Sequence, residues 1–221
     1  MPLPARRAAT TRLAAPETAP YQASMAKLYF HYSTMNAGKS TVLLQAAHNY
    51  KERGMIPYLL TAHLDDRAGE GRIASRIGIG EQADTFTAKD DLFSMLATRL
   101  DAGPVACVFV DEAQFLTKEQ VWQLARAVDD LHVPIMCFGL RVDFQGELFP
   151  GSATLLALAD EMREVRTICH CGKKATMVIR CSEDGTVLKE GAQVQVGGNS
   201  TYTSLCRKHW REVVGDRVTD S

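Results

Sequence analysis

Apolar runs of strand length alternate with segments of helical periodicity from about residue 25 onwards. The runs are apolar throughout instead of alternating with polar residues, which predicts strands buried on both faces of a parallel sheet. Four such strands are predicted at residues 28–32, 57–62, 105–110 and 135–140. We therefore expect an α/β fold in which helices cover both faces of a mostly parallel sheet.

The segments between these strands carry apolar residues at helical spacing. A helix is predicted over residues 39–53, directly after the first strand. A second helix is expected to begin at Thr87, because Asp90 stands three residues later, the spacing of an N-terminal cap. A third helix is predicted after Thr117, since Gln120 has the spacing of a capping box.

The two ends of the chain differ in character from its centre. Residues 1–24 are rich in Ala, Pro and Thr and lack a hydrophobic period, so we expect a disordered extension with Met25 as the natural start. An Arg-rich, acid-poor segment of this kind also resembles an organellar transit peptide, and that alternative stays open. We expect an α/β core at residues 25–166, a small β-rich lobe at 167–215 and a flexible tail at 216–221.

The overall composition is that of a globular protein. Apolar residues make up 46% of the chain and charged residues 23%, and the net charge is −1. No general attraction to nucleic acid or to an anionic membrane is therefore expected. The apolar runs are far shorter than the roughly 20 residues of a membrane-spanning helix. Six cysteines without a signal-peptide pattern favour a reducing compartment, and we expect a cytoplasmic protein.

The segment between the first strand and the first helix has the sequence STMNAGKST and the position of a P-loop. Backbone N–H groups of such a loop bind phosphate, while Lys39 would reach the β- and γ-phosphates and Ser40 would bind Mg²⁺. Ser33 stands where the usual motif has glycine. ATP contacts are expected from every residue of the loop: Ser33, Thr34, Met35, Asn36, Ala37, Gly38, Lys39, Ser40 and Thr41.

Two carboxylates, Asp111 and Glu112, directly follow the strand at residues 105–110. Ligands gather at this carboxyl edge of a parallel sheet, so Asp111 is expected to support Mg²⁺ together with Ser40. Glu112 is the candidate that orients or deprotonates a nucleophile. This pair fits a kinase and a P-loop ATPase about equally well, and both side chains could instead cap the helix near Thr117.

Four residues late in the chain have the arrangement of a zinc site. Two ligand pairs separated by a loop, Cys169 with Cys171 and Cys206 with His209, are typical of tetrahedral Zn²⁺ held by three thiolates and one imidazole. Four protein ligands fill the coordination shell, which predicts a structural ion. The first pair has one intervening residue where two are usual, and that residue, His170, is a competing ligand.

These segments together resemble the type II thymidine kinases. The resemblance rests on the loop STMNAGKST, on VDEAQF at residues 110–115, on FGLRVDFQGELFPGS at residues 138–152 and on the late cysteine lobe, and it runs from about Met25 to about Gly215. It implies a RecA-like core, a zinc-held lobe and a lasso-like loop over the nucleoside. It also implies transfer of the γ-phosphate of ATP to the 5′-hydroxyl of thymidine, or of deoxyuridine, in nucleotide salvage, by homotetramers that thymidine triphosphate inhibits.

The resemblance further implies a role for each matching residue. Glu112 would be the general base, Gln114 would lie next to the nucleotide, Arg67 near the transferred phosphate and Asp65 near the sugar. The nucleoside is expected to contact these side chains and the lasso: Met35, Asp65, Arg67, Phe115, Leu140, Phe144, Phe149, Gln193, Val194, Gln195, Val196, Gly197, Gly198 and Tyr202. A purely hydrophobic core role is the alternative for Leu140 and Phe149.

Two rival functions follow from the same motifs. A P-loop ATPase would turn over ATP without thymidine, whereas a kinase requires the acceptor. A nucleotide-gated zinc module that binds nucleic acid would use the basic residues of the lobe, but no aromatic and basic platform for strands is evident there. Those basic residues are Lys173, Lys174, Arg180, Arg207, Lys208 and Arg211.

Overall fold

A computed structural model describes residues 26–64, 69, 71–193 and 202–215 of the chain. Their strands and helices follow one another in this order: β1 (Leu28–Ser33), α1 (Lys39–Glu52), β2 (Pro57–Ala62), β3 (Arg72–Ala74), β4 (Gly80–Gln82), β5 (Asp84–Phe86), α2 (Leu92–Asp101), β6 (Cys107–Val110), a 3₁₀ helix (Ala113–Phe115), α3 (Lys118–Leu131), β7 (Ile135–Leu140), α4 (Pro150–Leu158), β8 (Glu161–Glu164), β9 (Thr167–Ile168), β10 (Lys174–Ala175), β11 (Met177–Cys181), β12 (Val187–Leu188), β13 (Tyr202–Leu205) and α5 (Arg207–Val214).

Six strands form the central sheet in the order β5-β2-β6-β7-β1-β8, and every pairing within it is parallel. The hydrophobic residues of α1 pack on one face, and those of α2, α3 and α4 pack on the other. The predicted α/β fold with a mostly parallel sheet is confirmed. Only β7 lies between β1 and β6, so the loops that follow these two strands meet at one edge of the sheet.

The strand β6 shows why uninterrupted apolar runs predict central strands. Cys107 and Phe109 pack with α1, whereas Val108 and Val110 pack with the helices on the opposite face. All four side chains are completely buried. Burying a side chain of this size contributes roughly 1.5–3 kcal/mol, so a polar residue at any of these positions would be costly.

The predicted cap of the second helix, Thr87, is wrong by four residues. Thr87 and Asp90 form a turn, in which the Asp90 carboxylate accepts a hydrogen bond of 2.6 Å from the Thr87 backbone N–H. The cap of α2 is Asp91, which accepts from the N–H of Ser94, and the helix begins at Leu92. The Thr87–Asp90 pair thus forms in a turn one of the hydrogen bonds of a capping box, so its spacing alone does not identify a helix start.

The lobe that follows β8 contains the hairpin β9–β10, the antiparallel sheet β12-β11-β13 and the helix α5. Trp210 joins the lobe to the core, because its indole N–H donates to the carbonyl of Phe144 after β7 at 3.2 Å and to that of Val178 in β11 at 3.1 Å. Ser204 adds a hydrogen bond of 2.6 Å to the carbonyl of Met35 in the P-loop. Among the described helices, none has the length and apolar character to span a membrane.

Candidate active site and metal centre

The loop between β1 and α1 turns through two left-handed residues, Asn36 with φ 62° and Gly38 with φ 83°. Gly38 immediately precedes α1, and no side chain caps the first turn of that helix. The N–H groups at such an uncapped helix start favour an anion. Ser33, which replaces the usual glycine, is buried, and its hydroxyl donates to the carbonyl of Val165 after β8.

The first turn of α1 and the end of β6 are in direct contact. The Ser40 hydroxyl donates to the Asp111 carboxylate at 2.9 Å, and the buried Lys39 ammonium donates to the carbonyl of Thr34 at 3.0 Å. Burial, and after it the neighbouring Glu112 carboxylate, raises the pKa of Asp111 well above its ordinary value of 3.8. A hydroxyl and a carboxylate at this distance are the hard oxygen ligands that fit Mg²⁺.

Glu112 is held in an uncommon backbone conformation, with φ 51° and ψ 38° in the left-handed region. Non-glycine residues there cost on the order of 1–3 kcal/mol and are concentrated at functional sites. The buried Gln114 donates from Nε2 to Glu112 Oε2 at 2.5 Å, and its Oε1 accepts from the N–H of Leu140 at 2.9 Å. A Cβ on Gly139 would lie only 3.0 Å from Gln114, so glycine permits this bridge between β6 and β7.

A cavity of about 390 Å³ lies between the P-loop, Glu112, Leu140 and the turn after β3. P-loop residues 35–41 line it, whereas Ser33 and Thr34 are buried behind them. Gln114 is absent from its wall and instead fixes Glu112. The lining from the β3–β4 hairpin, residues 74–77, was not predicted, because three-residue exposed strands leave no hydrophobic period.

The aromatic side chains predicted to wall the nucleoside lie near the ends of β6 and β7. Phe115 and Phe149 contact edge to face, with ring centroids 6.3 Å apart and an interplanar angle of 85°. Phe144 and Phe149 are buried. Met35 and Leu140 line the cavity beside Glu112. Phe115, Phe144 and Phe149 are not among the residues that line this cavity.

Only part of the predicted lasso belongs to the described residues. Gln193 donates from Nε2 to the Asp143 carboxylate at 2.9 Å, and Tyr202 is the first residue of β13. The remaining predicted nucleoside contacts lie outside the described residues: Asp65, Arg67, Val194, Gln195, Val196, Gly197 and Gly198.

The four predicted zinc ligands lie together in the lobe, with ligand atoms within 4.8 Å of one another. The Cys169 sulfur is 3.2 Å from His209 Nδ1, the Cys206 sulfur is 3.6 Å from the same nitrogen, and the sulfurs of Cys171 and Cys206 are 3.9 Å apart. Tetrahedral Zn²⁺ with bonds of about 2.0–2.3 Å places its ligand atoms about 3.5–3.8 Å apart. The cluster therefore fits Zn²⁺.

Local structure explains this convergence. Cys206 precedes α5 and His209 lies in its first turn, so a three-residue spacing puts both on one side of the helix. Burial raises the pKa of the Cys169 thiol, but hydrogen bonds from the Cys171 backbone and from His209 outweigh it and lower the pKa to about 5. The thiolate is the form that binds metal. His170 lies outside the ligand cluster and stacks on the ring of His209 at 4.2 Å.

A family model described as thymidine kinase matches residues 26–210 of the chain. A thymidine kinase of Ruegeria pomeroyi is 77% identical over 192 residues, which cover 87% of this chain and 97% of that protein. A thymidine kinase of Jannaschia sp. is 76% identical over 192 residues, covering 87% and 98%, respectively. A thymidine kinase of Rhizobium meliloti is 65% identical over 189 residues, covering 84% and 96%. The chain therefore belongs to the thymidine kinase family.

Proposed function

We propose that Glu112 is the base with which this ATP-dependent thymidine kinase activates the 5′-hydroxyl of thymidine for attack on the γ-phosphate of ATP. The observation that carries the proposal is the position of its carboxylate. It lines the same cavity as P-loop residues 35–41, and Gln114 holds it through the 2.5 Å hydrogen bond to Oε2. A general base needs a carboxylate oxygen within hydrogen-bond reach of the hydroxyl that it deprotonates, and this cavity is where the substrate would meet Glu112.

The P-loop binds and orients the phosphates of ATP. Its backbone N–H groups and the uncapped start of α1 hold the phosphate oxygens, and Lys39 neutralises part of their charge. Ser40 and Asp111 would hold Mg²⁺, which when bound neutralises charge on the β- and γ-phosphates. The Ser40 hydroxyl could keep donating to Asp111 while its lone pairs face the ion, because a hydroxyl is both a donor and an acceptor.

The transfer itself needs one proton movement. The 5′-oxygen forms a bond to the γ-phosphorus, the bond from that phosphorus to the bridging oxygen breaks, and ADP leaves. Glu112 accepts the proton of the hydroxyl during this exchange. Its left-handed backbone and the bridge through Gln114 fix the carboxylate before the substrate arrives, which lowers the cost of reaching the reactive geometry.

Thymidine would occupy the end of the cavity beside Leu140 and Met35, with Phe115, Phe144 and Phe149 completing an apolar wall for the base. Further contacts are proposed from Asp65 to the sugar, from Arg67 to the transferred phosphate, and from the lasso residues 193–198 with Tyr202. Deoxyuridine differs from thymidine by one methyl group. A missing methyl in an apolar pocket costs only about 1–3 kcal/mol, so deoxyuridine is proposed as a weaker acceptor.

The zinc site would be structural. Its four protein ligands leave no open position for a substrate, and the lobe that it closes carries Gln193 and Tyr202. Thymidine triphosphate combines the base of one substrate with the triphosphate of the other, so it would bind across the same cavity as a feedback inhibitor. A homotetramer and a cytoplasmic role in nucleotide salvage complete the proposal.

A panel of deoxynucleosides, each assayed with ATP and Mg²⁺ for ADP formation, tests this function. We expect rapid ADP formation with thymidine, slower formation with deoxyuridine, and almost none without an acceptor. Equal ADP formation in the absence of any nucleoside would favour the ATPase instead. Salt-dependent retardation of a nucleic acid in a gel would favour the nucleic-acid-binding module.

A further inference from the structure

Arg180 is a buried arginine to which the phosphoryl-transfer site assigns no role. It lies in the middle strand of the lobe sheet, β11, and only 4% of its surface is exposed. Among the described residues it forms no ion pair, and its Nε has no hydrogen-bond partner. Burying a guanidinium without a carboxylate is costly, so a neutral residue would be expected here unless the cation contributes to function.

The guanidinium lies between two segments that are far apart in the chain. Its carbon is 3.9 Å from the ring centroid of Phe144, a cation–π contact with the turn after β7. Its Nη1 donates to the carbonyl of Ala192 at 2.8 Å, just before Gln193. Phe144 and Gln193 are both proposed to contact the nucleoside. One side chain therefore connects two sides of the proposed nucleoside site.

The same two segments are also joined beside the arginine. The Asp143 carboxylate accepts from Gln193 Nε2 through Oδ2, and from the N–H groups of Gln145 and Glu147 through Oδ1. Gly191 has φ 136°, and a Cβ there would lie 2.5 Å from Arg180 Nη2. Glycine at that position thus lets the backbone approach the guanidinium. The backbone at Gly191 and Ala192 therefore packs directly against the guanidinium of Arg180.

We propose that Arg180 is a positioning residue for the nucleoside: it fixes the ring of Phe144 and the backbone of Ala192 in the places that thymidine binding requires. The inference rests on the proposed function, because it takes Phe144 and Gln193 as nucleoside contacts. Arg180 acts through those residues. It lies outside the walls of the phosphate cavity, so its loss should affect thymidine and leave ATP binding intact.

The planar guanidinium is what suits Arg180 to this position. Its face stacks on Phe144 while its edge donates to the carbonyl of Ala192. A lysine ammonium keeps the charge but has no plane with which to do both at once. A methionine fills similar volume and offers no N–H donor. Lysine should therefore retain part of the function, and methionine should retain little.

Steady-state kinetics of Arg180→Met and Arg180→Lys, with zinc measured per chain, test the proposal. We expect Arg180→Met to raise the KM for thymidine at least tenfold and to change the KM for ATP less than twofold. Arg180→Lys should lie between Arg180→Met and the unchanged chain. Arg126→Met is the matched control, since Arg126 also covers a phenylalanine ring, Phe93 at 4.0 Å, but on α3 in the core. It should leave both KM values unchanged.

An unchanged KM for thymidine in Arg180→Met, or an equal rise in both KM values at full zinc content, would overturn the inference. If Arg180→Met loses its zinc, Arg180→Lys with its zinc retained decides the matter by the same two criteria. Phe144→Leu separates this inference from the proposed function. If that variant raises the KM for thymidine while both Arg180 variants do not, only the role of Arg180 is wrong. If Phe144→Leu also has no effect, the proposed base wall is wrong.

Discussion

Replacing Glu112 by glutamine keeps the size of the side chain and changes its hydrogen-bonding character. Gln114 donates its N–H to Glu112 Oε2, so the new amide must turn its oxygen towards Gln114 to keep that contact. Its NH₂ group then takes the place of the oxygen that would accept the proton of thymidine. The variant therefore presents a donor to the substrate hydroxyl where the reaction needs an acceptor.

The expected loss follows from the removed proton transfer. A positioned general base contributes typically 10²- to 10⁴-fold, or about 3–5 kcal/mol of the barrier. We expect kcat of Glu112→Gln to fall within that range, while the affinities for thymidine and ATP change little, since Glu112 is not proposed to bind either ground state strongly. Single-turnover measurements at saturating substrates, with separate binding titrations, would distinguish chemistry from binding.

A matched variant, Gln114→Leu, keeps the carboxylate of Glu112 and removes the group that holds it. Positioning alone should then be lost, and a fall in kcat of roughly tenfold is expected. In a loose phosphoryl-transfer transition state little proton removal is needed early, so a fall of only about tenfold in Glu112→Gln would mean that positioning outweighs basicity. Full thymidine-dependent turnover in Glu112→Gln would refute the assignment of the base.

Three further predictions concern other parts of the chain. The raised pKa of Asp111 means that the folded protein binds a proton more tightly than the unfolded chain, so stability is lost as the pH rises from about 4 through the folded pKa. Asp111→Asn should therefore raise Tm at pH 8 without metal and impair the use of ATP with Mg²⁺. A lower Tm at that pH would contradict this. Binding of Zn²⁺ contributes on the order of 10 kcal/mol to the folding of zinc-finger peptides, so chelation should abolish thymidine binding before ATP binding. Elemental analysis that finds no zinc in protein purified without chelator would contradict a structural ion. A chain beginning at Met25 should keep the turnover and Tm of the full chain, and a large drop in either would show that residues 1–24 support the core.

Features set by neighbouring residues were predictable from the sequence. The strand β7 has the predicted bounds, because a short apolar run between polar segments is stable where its side chains are buried, as in a central strand. Thr117 and Gln120 form both hydrogen bonds of the predicted capping box. The same box leaves no role for Asp111 and Glu112 as caps of α3, since Thr117 fills that position.

Features set by distant residues were not predictable. The resemblance places Gln114 next to the nucleotide, and the structure adds that its amide bridges Glu112 and the backbone of Leu140, 26 positions away in sequence. The helix α4 was missed because nearly all of its side chains are small or apolar, which leaves no period to detect. Spacing likewise could not reveal the cation–π contact of Arg180, since Phe144 reaches it only through the packing of the lobe on the core.

The fate of the γ-phosphate tests the central claim most directly. ATP labelled in its γ-phosphate, incubated with the full chain, Mg²⁺ and thymidine, should transfer the label to thymidine monophosphate, with one ADP formed for each labelled product. Without thymidine, almost no label should leave ATP. Label recovered mainly as inorganic phosphate, at a rate that does not depend on thymidine, would contradict the account.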